Sequence, residues 1–242
     1  YPLVLQQAIS NLGPNIDKFF LTKYVSLADI GQYNFIITLT TAFSFLYSIG
    51  TSYFEPALFR TKNNESKFLN INNTFLHTNA FFSSIIIIVT SILLYYINKS
   101  QIDVYIVIAV AYSLMPLYFY NTYVYMVHDN NIDVVKWTAV AVTVVFVGDF
   151  YLIGNYGILG AAYAQLLYTF ILSWVSYAYM INKYPTQKYG LNIKMGILVL
   201  LSFVLAIPIN TYMYILSCLI MLGFSAYFLV ANKSIVFDSL KL

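Results

Sequence analysis

The residues best placed to do chemistry are Asp17 and Lys18, adjacent charges inside the apolar stretch "NLGPNIDKFFLTKYVSLADIGQY". A carboxylate beside an ammonium can bind a polar cargo or a coupling ion by charge-assisted hydrogen bonds. At helical spacing Gln7, Asn11 and Lys18 share one stripe, and Gln6, Ser10, Gly13 and Asp17 an adjacent one, so together they make a broad polar face. Pro14 removes a backbone donor and predicts a bend within the same helix. Two plainer readings stand beside the site. Lys18 can snorkel to an interface while water solvates Asp17, or the pair can tie two helices together. Asp149, in "VVFVGDFYLIGNYG", is the second acid inside an apolar run, where a wetted position near the helix end competes with a site. Glu55 and Arg60 flank "PALF" and could pair as a gate or stand on a solvated loop face. The site candidates are therefore Asp17, Lys18, Gln7, Asn11, Arg60 and Asp149.

Other chemistries find no constellation. His77 and His128 lie far apart, and the single cysteine, Cys218, makes no intrachain disulfide and no zinc site. His128 and Asp129 read as loop residues. Gln165, within "GAAYAQLLY", reads as glue between closely approaching helices. No Gly-rich phosphate loop, nucleophile elbow or paired carboxylates at a shared site is visible, so an enzyme is not expected. The net charge of +3 is too small and scattered for a nucleic-acid footprint.

The elements that position these residues follow from composition. The 242 residues are 60% hydrophobic and 9% charged, with mean hydropathy +0.74. Ordinary globular domains carry roughly 25% charged residues, so the excess apolar surface must face lipid. Eight segments reach spanning length, near 2–22, 32–54, 74–97, 103–126, 135–154, 158–181, 193–210 and 212–231. "FFSSIIIIVTSILLYYI" does not alternate in polarity as a membrane barrel strand would. The prediction is an all-α polytopic bundle of about eight transmembrane helices. The 24 tyrosines, many near the ends of apolar runs, suit an interfacial belt. Arg60, Lys62, Lys67, Lys136, Lys183, Lys188, Lys194, Lys233 and Lys241 fall on one side of this topology, against Lys23 and Lys99 on the other. By the positive-inside rule both ends are expected in the cytoplasm. The start at Tyr1, inside an apolar run and with no signal-peptide pattern, reads as a fragment with a portion preceding it.

The run "DKFFLTKYVSLADIGQYNFIITLTTAF" resembles the polysaccharide flippases of the multidrug/oligosaccharidyl-lipid/polysaccharide exporter superfamily. The matching residues are Asp17, Lys18, Gly31 and Tyr33. "EPALFR" is similar to the family's Pro-x-Leu, through Pro56 and Leu58. "NYGILGAAYAQLL" resembles its Tyr-Gly-Ile-x-Gly-Ala-Ala hairpin, through Tyr156, Gly157, Ile158, Gly160, Ala161 and Ala162. Asp149 departs from the pattern, since relatives often carry a neutral polar residue there. The resemblance implies the C-terminal lobe of a two-lobed transporter: a six-helix lobe over 1–181 and two additional helices over 182–242, the matching lobe preceding Tyr1. It implies flipping of undecaprenyl-pyrophosphate-linked oligosaccharide from the cytoplasmic to the periplasmic leaflet of the bacterial inner membrane, for O-antigen or capsule synthesis. Lys18 is the first candidate to attract the pyrophosphate or acidic sugars, and Arg60 the second. No cofactor is implied, and coupling to H+ or Na+ stays open. The implied partners are the lipid-linked oligosaccharide, membrane lipid, the preceding lobe and an O-antigen polymerase, with no nucleic acid. Two alternatives remain: a cation-coupled multidrug exporter of the same superfamily, and a membrane assembly subunit with no transport of its own.

Overall fold

The computed structural model describes residues 2–97, 101–185 and 223; in the first helix side chains are described at 4, 8, 9 and from 16 onward. The two last expected segments, 193–210 and 212–231, and Cys218 lie outside the described residues. Among the described residues every regular element is helical. In order they are α1 (Pro2–Tyr24), α2 (Leu27–Arg60), α3 (Glu65–Ile97), α4 (Ile102–Ser113), α5 (Met115–Val127), α6 (Asn131–Phe170), a π-helical turn (Ile171–Val175) and α7 (Ser176–Lys183). Four helical stretches are long and apolar enough to cross a membrane: Leu27–Arg60, Glu65–Ile97, Ile102–Val127 and Asn131–Lys183. The chain is thus a helical membrane protein by length and composition.

Local chemistry sets the boundaries. Ser26 opens α2: its Oγ accepts the backbone N–H of Asp29 at 3.2 Å and donates to the Asp29 carboxylate at 2.6 Å, as an N-cap side chain should. At the other end Thr61 closes α2 by donating its hydroxyl to the Ala57 carbonyl at 2.9 Å. Only a short turn then separates α2 from α3, because Asn64 accepts the backbone N–H of Lys67 at 3.1 Å and starts the next helix. The hydrophilic stretch "RTKNNESKFLNINN" is therefore mostly the first turns of α3.

The expected single helix 103–126 is broken between α4 and α5. Pro116 is the cause: it has no N–H to offer the Tyr112 carbonyl four residues back, and its ring crowds that carbonyl. The orphaned oxygen is met from another helix, by the Tyr47 hydroxyl at 2.5 Å. Ser173, in the π turn, donates to the neighbouring Leu114 carbonyl at 2.8 Å. Two irregular backbone segments thus abut and satisfy each other's polar groups. Tyr47→Phe should leave the Tyr112 carbonyl buried and unpaired, costing about 1–3 kcal/mol. A fall in melting temperature of the detergent-solubilised protein checks this, and an unchanged melt would show that the carbonyl has another partner.

The 53-residue stretch Asn131–Lys183 is not straight. At Gly157, φ is 58° and ψ −134°, a backbone state that excludes most side chains. Beyond it the chain doubles back, placing Gly160 against the Leu152 backbone and Ala164 beside Gly148. The free ends of this hairpin meet in a salt bridge, Lys183 Nζ to Asp133 Oδ2 at 2.7 Å. α1 packs along α6, α4 also lies on α6, and α2 packs on α3. The core is rich in aromatic rings, and Tyr33, Tyr105, Tyr120, Tyr125, Phe43, Phe68 and Phe75 are fully buried. Tyrosine therefore serves two purposes. Tyr24, Tyr95, Tyr96 and Tyr156 are exposed near helix ends, as an interfacial belt requires, whereas the buried ones hold polar contacts inside the bundle, such as Tyr125 donating to the Ser176 carbonyl at 3.0 Å.

Candidate functional site: a buried acid pair beside a polar track

Asp17 sits on α1 about 10 Å from its end, Tyr33 about 9 Å into α2, and Asp149 about 12 Å before the Gly157 turn, at 1.5 Å per residue. Because α1 lies along α6 and α2 starts immediately after α1, these three side chains come to one depth. Asp17 is 6% exposed and Asp149 0%. The Tyr33 hydroxyl donates to Asp17 Oδ2, and the Lys18 backbone N–H donates to Asp17 Oδ1 at 2.7 Å. Asp149 lies within electrostatic reach of Asp17, and Tyr33 within reach of both carboxyls. Tyr112 joins the group: it feels Asp17 and its hydroxyl pairs with Thr40. Phe20 seals the α1–α6 seam, its ring edge-on to Phe146 at 5.4 Å and to Phe150 at 6.2 Å.

Asp17 is well supplied with donors, but neither Oδ1 nor Oδ2 of Asp149 has a hydrogen-bond partner. An ionised carboxylate buried without a donor would cost several kcal/mol. A carboxyl so placed fits a bound proton. Of the plain readings, helix tying is met at Asp17, which accepts from Tyr33 of α2. Asp17 faces the interior rather than water, and the wetted alternative for Asp149 is overturned by its complete burial.

The structure separates the sequence candidates. It brings Asp17 and Asp149 together. Lys18 is exposed, while its charge still acts on the buried Asp17. The side chains of Gln7 and Asn11, and those of Gln6, Ser10, Gly13 and Pro14, lie outside the described ones. Arg60 is exposed at the far end of α2, about 40 Å along the helix from Tyr33, and is not part of the acid site. Glu55 is exposed, with Tyr123 as an electrostatic neighbour. Gln165 is buried at 8% in the hairpin contact, and His128 and Asp129 are exposed.

A further feature escaped the sequence reading. On α2, Asn34, Thr38, Thr41, Ser44, Ser48, Ser52 and Glu55 are all exposed. Their spacing of three or four residues puts them on one stripe. The stripe covers 21 residues, about 32 Å, which matches a hydrocarbon core of about 30 Å. The buried face, with Tyr33, Phe43, Tyr47 and Leu58, lies opposite. A third face, with Phe35, Ile49 and Tyr53, is exposed and apolar and suits lipid. Thr38 and Thr41 return their hydroxyl protons to the Asn34 and Thr38 carbonyls, at 2.9 and 2.6 Å. Back-bonding of this kind lowers the cost of a hydroxyl in lipid but does nothing for Asn34 or Glu55. The track is a hydroxyl-rich exposed surface with Asn34 and Glu55 at its two ends and the exposed Phe45 set among its hydroxyls.

Comparison with protein-family models, with curated proteins and with solved structures finds no match. The functional reading consequently rests on the residues and their geometry.

Proposed function

We propose that this chain is one bundle of a membrane transporter that carries a hydrophilic cargo past the α2 track, driven by a proton held between Asp17 and Asp149. The observation that carries the reading is the hydrophilic track as long as the bilayer core is thick. A sugar headgroup cannot cross hydrocarbon unaided, because its hydroxyls would lose their water partners. A row of hydroxyl groups, with Asn34 at one end and Phe45 the one large apolar side chain among them, offers replacement partners along much of the crossing. The cargo implied by the resemblance, a lipid-linked oligosaccharide, suits this row, and the lipid tail can stay in the bilayer beside Phe35, Ile49 and Tyr53. In this reading α1 to α7 make six passes of the bacterial inner membrane, with basic ends in the cytoplasm, and a second bundle completes the passage.

The alternative of a multidrug exporter calls for acids where an organic cation would bind. Here the two acids are buried behind α2, and the track itself is neutral apart from Glu55 at one end, which favours a neutral polyhydroxylated cargo. A non-transporting assembly subunit would need no water beside Thr41 and Ser48.

Cysteine accessibility separates these readings. Cys218 is the single native cysteine, so Cys218→Ser gives a clean background. In membranes, Thr41→Cys and Ser48→Cys should react with a water-soluble maleimide at least about tenfold faster than Phe35→Cys and Ile49→Cys, because thiolate formation needs water. Equal, slow labelling at all four positions would place the track against dry protein and remove the passage.

A further inference from the structure

We infer that the hairpin ends form a headgroup site for an anionic phospholipid, with Lys136 and Lys183 as its cations. The inference rests on the membrane reading above but concerns the opposite end of the bundle from the acid pair. Lys136 lies in the second turn of α6 and Lys183 closes α7. The Gly157 turn returns the chain so that both ammoniums stand over one ring, Tyr179, at 5.1 and 5.8 Å. Trp137 backs that ring edge-on at 5.5 Å and also receives Lys136 at 5.9 Å. On the other side Lys183 lies 5.8 Å from Tyr184, which stacks on His128 at 4.2 Å.

The cations are held but not neutralised together. Lys183 pairs with Asp133 at 2.7 Å, and Asn130 donates to the same carboxylate oxygen at 2.6 Å and to the Tyr184 hydroxyl at 3.1 Å. That fixes Lys183 in place. Lys136 has no ion-pair partner among the described residues and is exposed. One positive charge is therefore left over on an aromatic shelf, even with Asp133 counted. The surface below it selects the ligand. From Lys136 an exposed apolar strip runs down α6 through Val140 and Val147 to Tyr151 at helical spacing. A fixed cation at the head of an apolar strip matches an amphiphile: a phosphate diester on Lys136 and an acyl chain along the valines. A soluble phosphate would make no use of the strip. Basic residues near the interface are where anionic lipids are attracted.

The chain's two tryptophans make the test direct. Trp174→Phe leaves Trp137 as the sole indole reporter. The protein is reconstituted in phosphatidylcholine vesicles carrying equal mole fractions of either brominated phosphatidylglycerol or brominated phosphatidylcholine, whose bromines quench nearby indoles. Brominated phosphatidylglycerol should quench at least about twofold more strongly. The preference should vanish in Lys136→Gln, a variant that keeps the Lys183–Asp133 pair and so the hairpin. Equal quenching by the two lipids overturns the site. Loss of the preference on adding millimolar inorganic phosphate assigns the cations to a soluble anion and overturns the lipid. Quenching by neither lipid would instead mean that this end does not meet a bilayer, which is failure of the membrane reading itself.

Discussion

On the proposed export of a lipid-linked oligosaccharide, Asp149→Asn should leave the protein in the membrane at its normal level and lower surface polysaccharide by tenfold or more. A tenfold loss corresponds to about 1.4 kcal/mol of lost coupling, a modest demand on a carboxyl that sits fully buried with both oxygens unpartnered. Asparagine keeps the shape and removes the group that can take up and release a proton, so stability should hold while transport fails. Asp17→Asn should also lower transport, with some loss of stability: Tyr33 and the Lys18 N–H meet different oxygens of Asp17, and the single amide oxygen replaces only one of these acceptors. Lys18→Ala should do less than either, since the backbone N–H bond to Asp17 survives the change and only the charge of the exposed ammonium is lost. Polysaccharide measured on gels, with protein level from the same membranes, reads all three. Normal polysaccharide in both Asp149→Asn and Asp17→Asn would take the acid pair out of polysaccharide export.

The two acids could be picked from the sequence because a charge in a long apolar run needs a reason. Their meeting could not. It depends on α1 lying along α6, and nothing in either segment's own pattern specifies that partner. The burial of Asp149 was equally hidden: its distance from the helix end suggested water, but it lies fully buried on α6, the helix on which α1 and α4 pack. The α2 track was written in the spacing 34, 38, 41, 44, 48, 52 and 55. It was obscured because Ser and Thr are cheap in a membrane helix and scarcely lower its hydropathy. Only the packing of the opposite face shows that the stripe looks outward. Pro116, by contrast, was a plain signal: a proline inside a helical run orphans a carbonyl four residues back. What the sequence lacked was the rescuer, Tyr47, 65 positions away from Tyr112. All-helical architecture and membrane-spanning length follow from composition and run length, and these the structure bears out in the four apolar stretches.

Gly160→Ala should be the most disruptive single methyl in the hairpin. A Cβ built there would fall 2.0 Å from the Leu152 carbonyl oxygen, 2.3 Å from its carbon and 2.8 Å from the Ile153 nitrogen. These are backbone atoms, which cannot swing aside as a side chain could. The two limbs must separate, and overpacking of this kind costs about 3 kcal/mol or more. Two nearby glycines serve as controls. Gly154 has nothing within 4 Å of an added Cβ, so Gly154→Ala should be neutral or slightly stabilising, by up to about 1 kcal/mol. Gly157 also has open space but carries φ of 58°, so Gly157→Ala should cost about 1–2 kcal/mol through backbone strain alone. Melting temperatures in detergent should therefore fall in the order Gly154→Ala, Gly157→Ala, Gly160→Ala, highest to lowest. The ranking separates three physical effects in one short segment: helix propensity, turn strain and interhelical contact. A Gly160→Ala protein as stable as its Gly154→Ala counterpart would mean that the two limbs do not touch at Gly160.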